Sequence, residues 1–442
     1  MLSHWTRRLG LPLFAAAIAS CSDSGGLGTN LQDLVLDFCS GSDTPVFIAL
    51  QNEGQNWTRI TPDANGTINL RASNKVGLAF VYQTGASSYF TDVLYTTRDE
   101  LGPLANSVCP EQTGTKILNG SVASVSGSAT GEVTMADAYA LVTPPPSTFT
   151  LAGVASGPQD LVASRSDFVL GVFAPNRVIV RRSLNLTNGA TIPALDFAAN
   201  EALAPTPSNV TISGFSTNDN TTVQLDFSTA TTPFHPLFQR SGVPSSTQTI
   251  YGIPSTLTQS GDVHILTIRA LSSTGNSYRV SEQYYRDPSD KLVALGAALS
   301  APAVTTISST PNVRLSTSLP SQVDYGSFAN VTHSQTGRVV SVTGTAAYFG
   351  GTPTNWLLDV PDLSGVSGFS STNFGLQPGA GSTTYAEAYS GTLATFFGAF
   401  VDGGALKFAG RISGVGLAEM TTVGAEGAVR APRRSHFSVR GR

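Results

Sequence analysis

Val76-Gly77-Leu78-Ala79-Phe80-Val81-Tyr82 decides the fold class of this chain. Apolar side chains recur at every second position, so Val76, Leu78, Phe80 and Tyr82 share one face of an extended strand. Asp92 to Tyr95 reads as the strand that returns beside it. Thr97-Arg98-Asp99-Glu100 then fits a capping box for one short helix, which Pro103 limits. On the N-terminal side, Leu34 to Cys39 and Val46 to Leu50 are further strand candidates. Ile60-Thr61-Pro62-Asp63-Ala64-Asn65-Gly66 is a strand end followed by a turn.

The composition extends this reading to the whole chain. Only 12% of the 442 residues are charged against 40% hydrophobic, with 44 Gly and 25 Pro, which fits neither charge-driven disorder nor a helical protein. The expectation is all-β. Because the length exceeds what one core usually serves, it predicts three or four β-sandwich modules in tandem, immunoglobulin-like or fibronectin-like.

The boundaries fall at 31–112, 113–204, 205–300 and 301–425, followed by a basic tail at 426–442. Strands are expected at Lys116 to Val122, Gly131 to Thr134, Arg177 to Leu186, Asn209 to Phe215, Thr222 to Phe227, Val263 to Ala270 and Ser277 to Tyr285. In the last segment they are expected at Val313 to Ser318, Arg338 to Tyr348, Trp356 to Val360, Ala394 to Val401 and Ala405 to Ile412. Residues 205–425 can be divided as one large sandwich or as two modules. In the second module, Phe149 to Ser164 suggests two strands joined by a Ser-Gly-Pro turn. This stretch resembles the carboxypeptidase-regulatory-like sandwiches, which implies a spacer or binding module and no catalytic residue.

Residues 1–20 have the order of a signal peptide: Arg7 and Arg8, an apolar run from Leu11 to Ala19 too short for a spanning helix, then a small-residue zone. Ile18-Ala19-Ser20-Cys21 resembles the lipobox of bacterial lipoproteins. That resemblance implies lipidation of Cys21 as the mature N-terminus, and Ser22 at the next position implies sorting to the outer membrane, with the chain facing the periplasm or the surface. Residues 21–30 are then a Gly/Ser-rich tether. Ala17-Ile18-Ala19 also fits an ordinary cleavage site that would free a soluble protein, but the cysteine count argues for the lipobox. Cys21, Cys39 and Cys109 are the chain's three cysteines, and lipidation of Cys21 leaves Cys39 and Cys109 as one pair able to form a disulfide.

Charge is unevenly distributed. The formal net charge is −4, and the body without the leader and without the five tail arginines carries −11. Arg430, Arg433, Arg434, Arg440 and Arg442 lie in the last thirteen residues, 430–442, which hold no acid and no strand or helix pattern. This tail reads as a solvated terminus, or as a contact for anionic envelope phosphates or an acidic partner. No nucleic-acid partner is expected.

The motif search constrains the chemistry. The chain has no Gly-x-Ser-x-Gly elbow, His-Glu-x-x-His pair or P-loop, and between the leader and the basic tail His235, His264 and His333 are the only histidines, so general-base capacity is small and no metal or cofactor is expected. Asp287 with Asp290, and Asp359 with Asp362, are carboxylate pairs of the kind a glycosidase sets across a cleft, but their Asp-x-x-Asp settings carry prolines typical of turn-capping aspartates. Trp57 and Trp356 are the candidate ligand-binding aromatics, either stacking on sugar rings or packing in a core.

The expected function is an envelope-anchored, non-catalytic binding or scaffolding component, held to the membrane through lipidated Cys21 and serving an envelope protein or a glycan. A surface glycan-binding accessory protein is the alternative and a glycosidase the more distant one. One test concerns the cysteine pair. Mass spectrometry of non-reduced peptides should find Cys39 joined to Cys109, a closure of roughly 70 residues worth about 4 kcal/mol in the chain-entropy treatment. Free thiols at both positions in exported protein would contradict it.

Overall fold

A computed structural model describes residues 31–38, 45–63, 67–101, 114–126, 129–145, 147–169, 172–242, 245–396, 400–413 and 437–441. The lipobox cysteine and the Cys39 and Cys109 pair lie outside the described residues. The fold is all-β and sandwich-like, and among the described residues helical content is confined to single turns such as Arg98–Leu101, Ala346–Phe349 and Ser371–Phe374. No described helix is long and apolar enough to cross a membrane.

The chain is organised by one 16-stranded sheet. Its order runs Thr58–Arg59, Phe47–Asn52, Lys75–Gln83, Tyr89–Thr97, Arg338–Thr345, Phe328–Gln335, Thr383–Tyr389, Ala405–Ser413, Ser277–Tyr285, Val263–Leu271, Asn220–Ser228, His235–Gly242, Val172–Leu184, Gln159–Val169, Ala129–Met135, Ala138–Val142. Tyr89–Thr97 pairs with Arg338–Thr345 in parallel, with Tyr89 opposite Arg338 and Tyr95 opposite Gly344. The neighbouring pairs on both sides of this seam are antiparallel.

Four three-stranded sheets cover this long sheet, and each seals one apolar core. Gln32–Phe38, flanked by Thr67–Ala72 and Phe437–Gly441, contributes Leu34 to a core that includes Ile68, Leu70, Leu78, Phe80, Val280 and Phe408. Arg314–Pro320, between Ala303–Ser308 and Asn355–Asp359, seals a second core that holds Leu319, Trp356 and Leu358 against Ala79, Val81, Val93 and Val342. Lys116–Ala123 with Thr148–Val154 and Leu195–Asp196 covers a third, and Thr206–Ser213 with Thr247–Gly252 and Lys291–Ala294 a fourth.

Period-two alternation explains how one strand serves two cores. On Lys75–Gln83, Val76, Leu78, Phe80 and Tyr82 enter the first core while Ala79 and Val81 enter the second. On Gln159–Val169, Leu161 and Ala163 enter the third and Val162 the fourth. A strand covered on both faces loses its polar partners, and for this reason the sequence from Val76 to Tyr82 is apolar throughout rather than alternating with charge.

The third core is built entirely from residues of 113–204, and the fourth mainly from residues of 205–300. The first and second cores each combine strands from 31–112 with strands beyond 300. Hydrogen bonding therefore joins the first and last expected segments into one body.

Several local expectations are corrected. Leu393–Phe396 is a helical turn where a strand from Ala394 was expected; in the full chain Phe396 packs on Phe328 and Tyr389 instead of entering a ladder. By contrast, the two strands expected on either side of the Ser-Gly-Pro turn are present at Thr148–Val154 and Gln159–Val169; the first pairs with Lys116–Ala123 and the second with Val172–Leu184, so the turn passes from one layer to the other. In the tail, Phe437–Gly441 is a strand against Gln32–Phe38, with Arg440 opposite Val35. Backbone pairing at an edge needs no apolar pattern, and edge strands tolerate charge. Arg430, Arg433, Arg434 and Arg442 lie outside the described residues.

The capping box forms as expected and does more than cap. Glu100 Oε2 accepts from Thr97 N (3.1 Å), from the hydroxyls of Thr96 (2.9 Å) and Thr97 (3.1 Å), and from the Thr345 hydroxyl across the parallel seam (2.6 Å). Glu100→Ala should cost about 2–4 kcal/mol in urea unfolding, because it removes a charged acceptor from several donors at once. In a double-mutant cycle with Thr345→Val the two losses should be non-additive by at least about 0.5 kcal/mol. Full additivity would show that the contact across the seam contributes nothing.

Candidate functional site

A register row at one end of the long sheet prepares a cleft. Gln51, Gly77, Tyr95 and Gly344 stand opposite one another on four consecutive strands. The two glycines leave the sheet bare, and each hollow is filled by an aromatic ring from elsewhere. A Cβ at Gly77 would lie 2.8 Å from the Trp57 indole, and a Cβ at Gly344 would lie 2.8 Å from the Phe349 ring. A glycine within an otherwise apolar strand marks this kind of close approach.

The turn after Phe47–Asn52, with Gly54 at φ 71°, returns the chain so that Trp57 lies across Gly77 with its ring edge-on to Tyr95, centroids 6.2 Å apart. Trp57 is half-buried. The opposite wall comes from the second core's covering sheet. Arg314 and Asp359 lie on adjacent strands of that sheet, and Asp362 follows in the next turn. Together with Gln51, Trp57 and Tyr95 they line a cleft of about 650 Å³.

The polar groups of this cleft are unequally engaged. Asp362 accepts from Ser364 N (3.0 Å) and Ser364 Oγ (2.6 Å) and faces Arg314 at 3.8 Å, contacts that hold its carboxyl below the ordinary range. Arg314 Nε donates to the Val360 carbonyl (3.0 Å). Asp359 Oδ1 is buried with no hydrogen-bond partner, so this carboxylate keeps accepting capacity that the protein does not use. Burial, followed by the neighbouring Tyr348 and Asp359, pushes the Tyr95 phenol well up, so it remains a protonated donor.

A smaller cleft of about 350 Å³ adjoins the first and shares Gln51 with it. Asn52, Glu53, Lys75, Tyr348 and Phe349 line it. Its aromatic pair sits on the Ala346–Phe349 turn, which Thr345 caps by accepting from Tyr348 N (3.2 Å) and Gly350 closes in the left-handed region at φ 83°. Glu100, Thr345 and Tyr348 thus form one chain of contacts from the seam to the cleft.

The other residues singled out from the sequence are placed elsewhere. Trp356 is fully buried in the second core, edge-on to Phe349 at 5.8 Å, and offers no face to a ligand. Alternation on Asn355–Asp359 sends positions 356 and 358 inward. Asp287 accepts from the Thr258 hydroxyl (3.2 Å) and pairs with Arg286 (3.3 Å), and Asp290 accepts from Asn209 N (2.7 Å). Neither lines the Trp57 cleft. Only Trp57, Asp359 and Asp362 of the sequence candidates come together. Tyr95, Arg314 and Gln51 were not anticipated; Gly77 was the one local signal pointing to them.

Among the described residues no group of three or more His, Cys, Asp and Glu side chains is placed to hold a metal ion. The described histidines, His235, His264 and His333, are internal. His235 lies between the hydroxyls of Thr134 (2.9 Å) and Ser164 (3.1 Å), His264 accepts from Ile253 N (2.8 Å), and His333 contacts the Thr384 hydroxyl (2.9 Å). Compared with known proteins, the chain matches no family, and no curated protein is significantly similar to it.

Burial pushes His235 down to about 3, and His264 and His333 down to about 4. The folded state keeps these rings neutral while the unfolded chain takes up protons below about 6.5, so their contribution is complete above that pH and is lost as pH falls toward 4. Asp92 has the opposite sign: burial raises it to about 6, so its ionised form weighs against the fold above that pH. Urea unfolding should therefore show stability falling between pH 6.5 and 4. Asp92→Asn should gain about 1–3 kcal/mol relative to wild type on going from pH 4 to pH 7. A pH-independent difference for Asp92→Asn would contradict the assignment.

Proposed function

We propose that this chain is a bacterial envelope lipoprotein, held at the outer membrane through lipidated Cys21, that acts as a non-catalytic binding component with the Trp57 cleft as its ligand site and a glycan as its ligand class. The observation that carries the reading is the composition of the cleft: a half-buried indole beside an under-used carboxylate, a protonated phenol, a guanidinium and an amide. A sugar presents apolar C–H faces and a ring of hydroxyls, and this combination of aromatic surface with converging donors and acceptors suits it.

A glycosidase would need one carboxyl poised to give up a proton while the other stays ionised. Asp362 is held ionised and so is no proton donor, and with Oδ1 taken up by Ser364 and Oδ2 facing Arg314 at 3.8 Å it is no free nucleophile or base either, which favours binding over cleavage. A scaffold alone would not call for a polar cleft with an indole on its wall.

The test has two arms. Cys21→Ser should leave the protein unprocessed or free of membranes in fractionation; normal processing and partition into detergent would overturn the anchor. A glycan array probed with the Cys21→Ser protein should show binding that Trp57→Ala reduces at least about tenfold, or about 1.4 kcal/mol. Binding undiminished by Trp57→Ala, or no binding to any glycan, would overturn the ligand site.

A further inference from the structure

We infer that the two clefts are subsites of one groove, and that the ligand is a linear, neutral oligosaccharide running from Trp57 to Tyr348. This rests on the glycan reading of the larger cleft and specifies it.

Three observations support continuity. The clefts share Gln51 as a common wall. A row of rings passes from one to the other: Trp57 to Tyr95 at 6.2 Å, Tyr95 to Tyr348 at 5.2 Å, and Tyr348 to Phe349 at 5.5 Å. Each terminal ring of the row is laid down on a glycine, Gly77 for Trp57 and Gly344 for Phe349, so the row is a property of the sheet rather than of a mobile loop. Rings fixed in sequence can support consecutive sugar units at little conformational cost, whereas a monosaccharide would use only one of them.

The charges argue for a neutral chain. The larger cleft sets Asp359 and Asp362 against Arg314, and the smaller sets Glu53 against Lys75. Neither has a surplus of positive charge for uronates or phosphates. Lys75 is further occupied by the Tyr348 ring, its Nζ 5.9 Å from the centroid.

Calorimetry on the Cys21→Ser protein with linear cello-, chito- and malto-oligosaccharides, from disaccharide to hexasaccharide, decides the matter. In the series that binds, affinity should rise at least about tenfold with length and then level off. Tyr348→Phe should keep most of that increment, Tyr348→Ala should remove it while sparing disaccharide binding, and Trp57→Ala should weaken every length. Length-independent affinity, an unchanged increment in Tyr348→Ala, or tighter binding of oligogalacturonate than of the neutral series would overturn the continuous groove and leave the Trp57 site standing. No binding in any series would overturn both.

Discussion

The parallel ladder between Tyr89–Thr97 and Arg338–Thr345 is the constraint on which the rest of the structure depends. It is the one place where the strands of the N-terminal segment meet those of the C-terminal segment within the long sheet. Within that sheet Thr58–Arg59, Phe47–Asn52, Lys75–Gln83 and Tyr89–Thr97 are attached to the remaining strands through it. The entropic cost of closing so long a loop grows only logarithmically with its length. It is offset here by backbone pairing, by the Glu100 to Thr345 contact and by two apolar cores that neither segment completes alone. The intervening residues build the other two cores, which fits a chain whose middle folds locally and whose ends fold on each other.

The same seam creates the candidate site. Trp57 and Tyr95 belong to the N-terminal strands, while Arg314, Asp359, Asp362 and Tyr348 come from beyond residue 300. Tyr95 and Gly344 face each other directly across the ladder, so the aromatic row crosses the seam at the point where the two parts of the chain are joined. Stability of the ladder and geometry of the cleft are therefore one problem: Glu100 holds Thr345, and Thr345 caps the turn that presents Tyr348.

Local chemistry made much of this legible in the sequence. Strand positions such as Ser277–Tyr285 follow from Tyr278, Val280 and Tyr284 at alternate positions and from aromatic content, the capping box at Thr97 and Glu100 from its own spacing, and the turn character of Asp362 from the adjacent proline. Long-range pairing was not legible, because periodicity identifies a strand without naming its neighbour. Tandem modules were the natural inference from segment order, whereas the sheet pairs the first segment with the last. Trp57 and Trp356 look equivalent as letters, yet one lies over a glycine at the open end of a core and the other points into it. Gly77 within an apolar strand is the letter that marks a close approach, a sign the strand pattern alone does not single out, and which ring fills the hollow depends on a turn and a register that only the folded chain defines.

Amide hydrogen exchange tests the central claim most directly, comparing the full chain with one ended after residue 300. If the seam organises the molecule, Lys75–Gln83 and Tyr89–Thr97 should exchange as slowly as Arg338–Thr345 in the full chain. They should lose that protection in the shortened chain, while Ala129–Met135 and Gln159–Val169 keep theirs. Undiminished protection of Lys75–Gln83 and Tyr89–Thr97 in the shortened chain would show an N-terminal module that folds on its own, and would contradict the account.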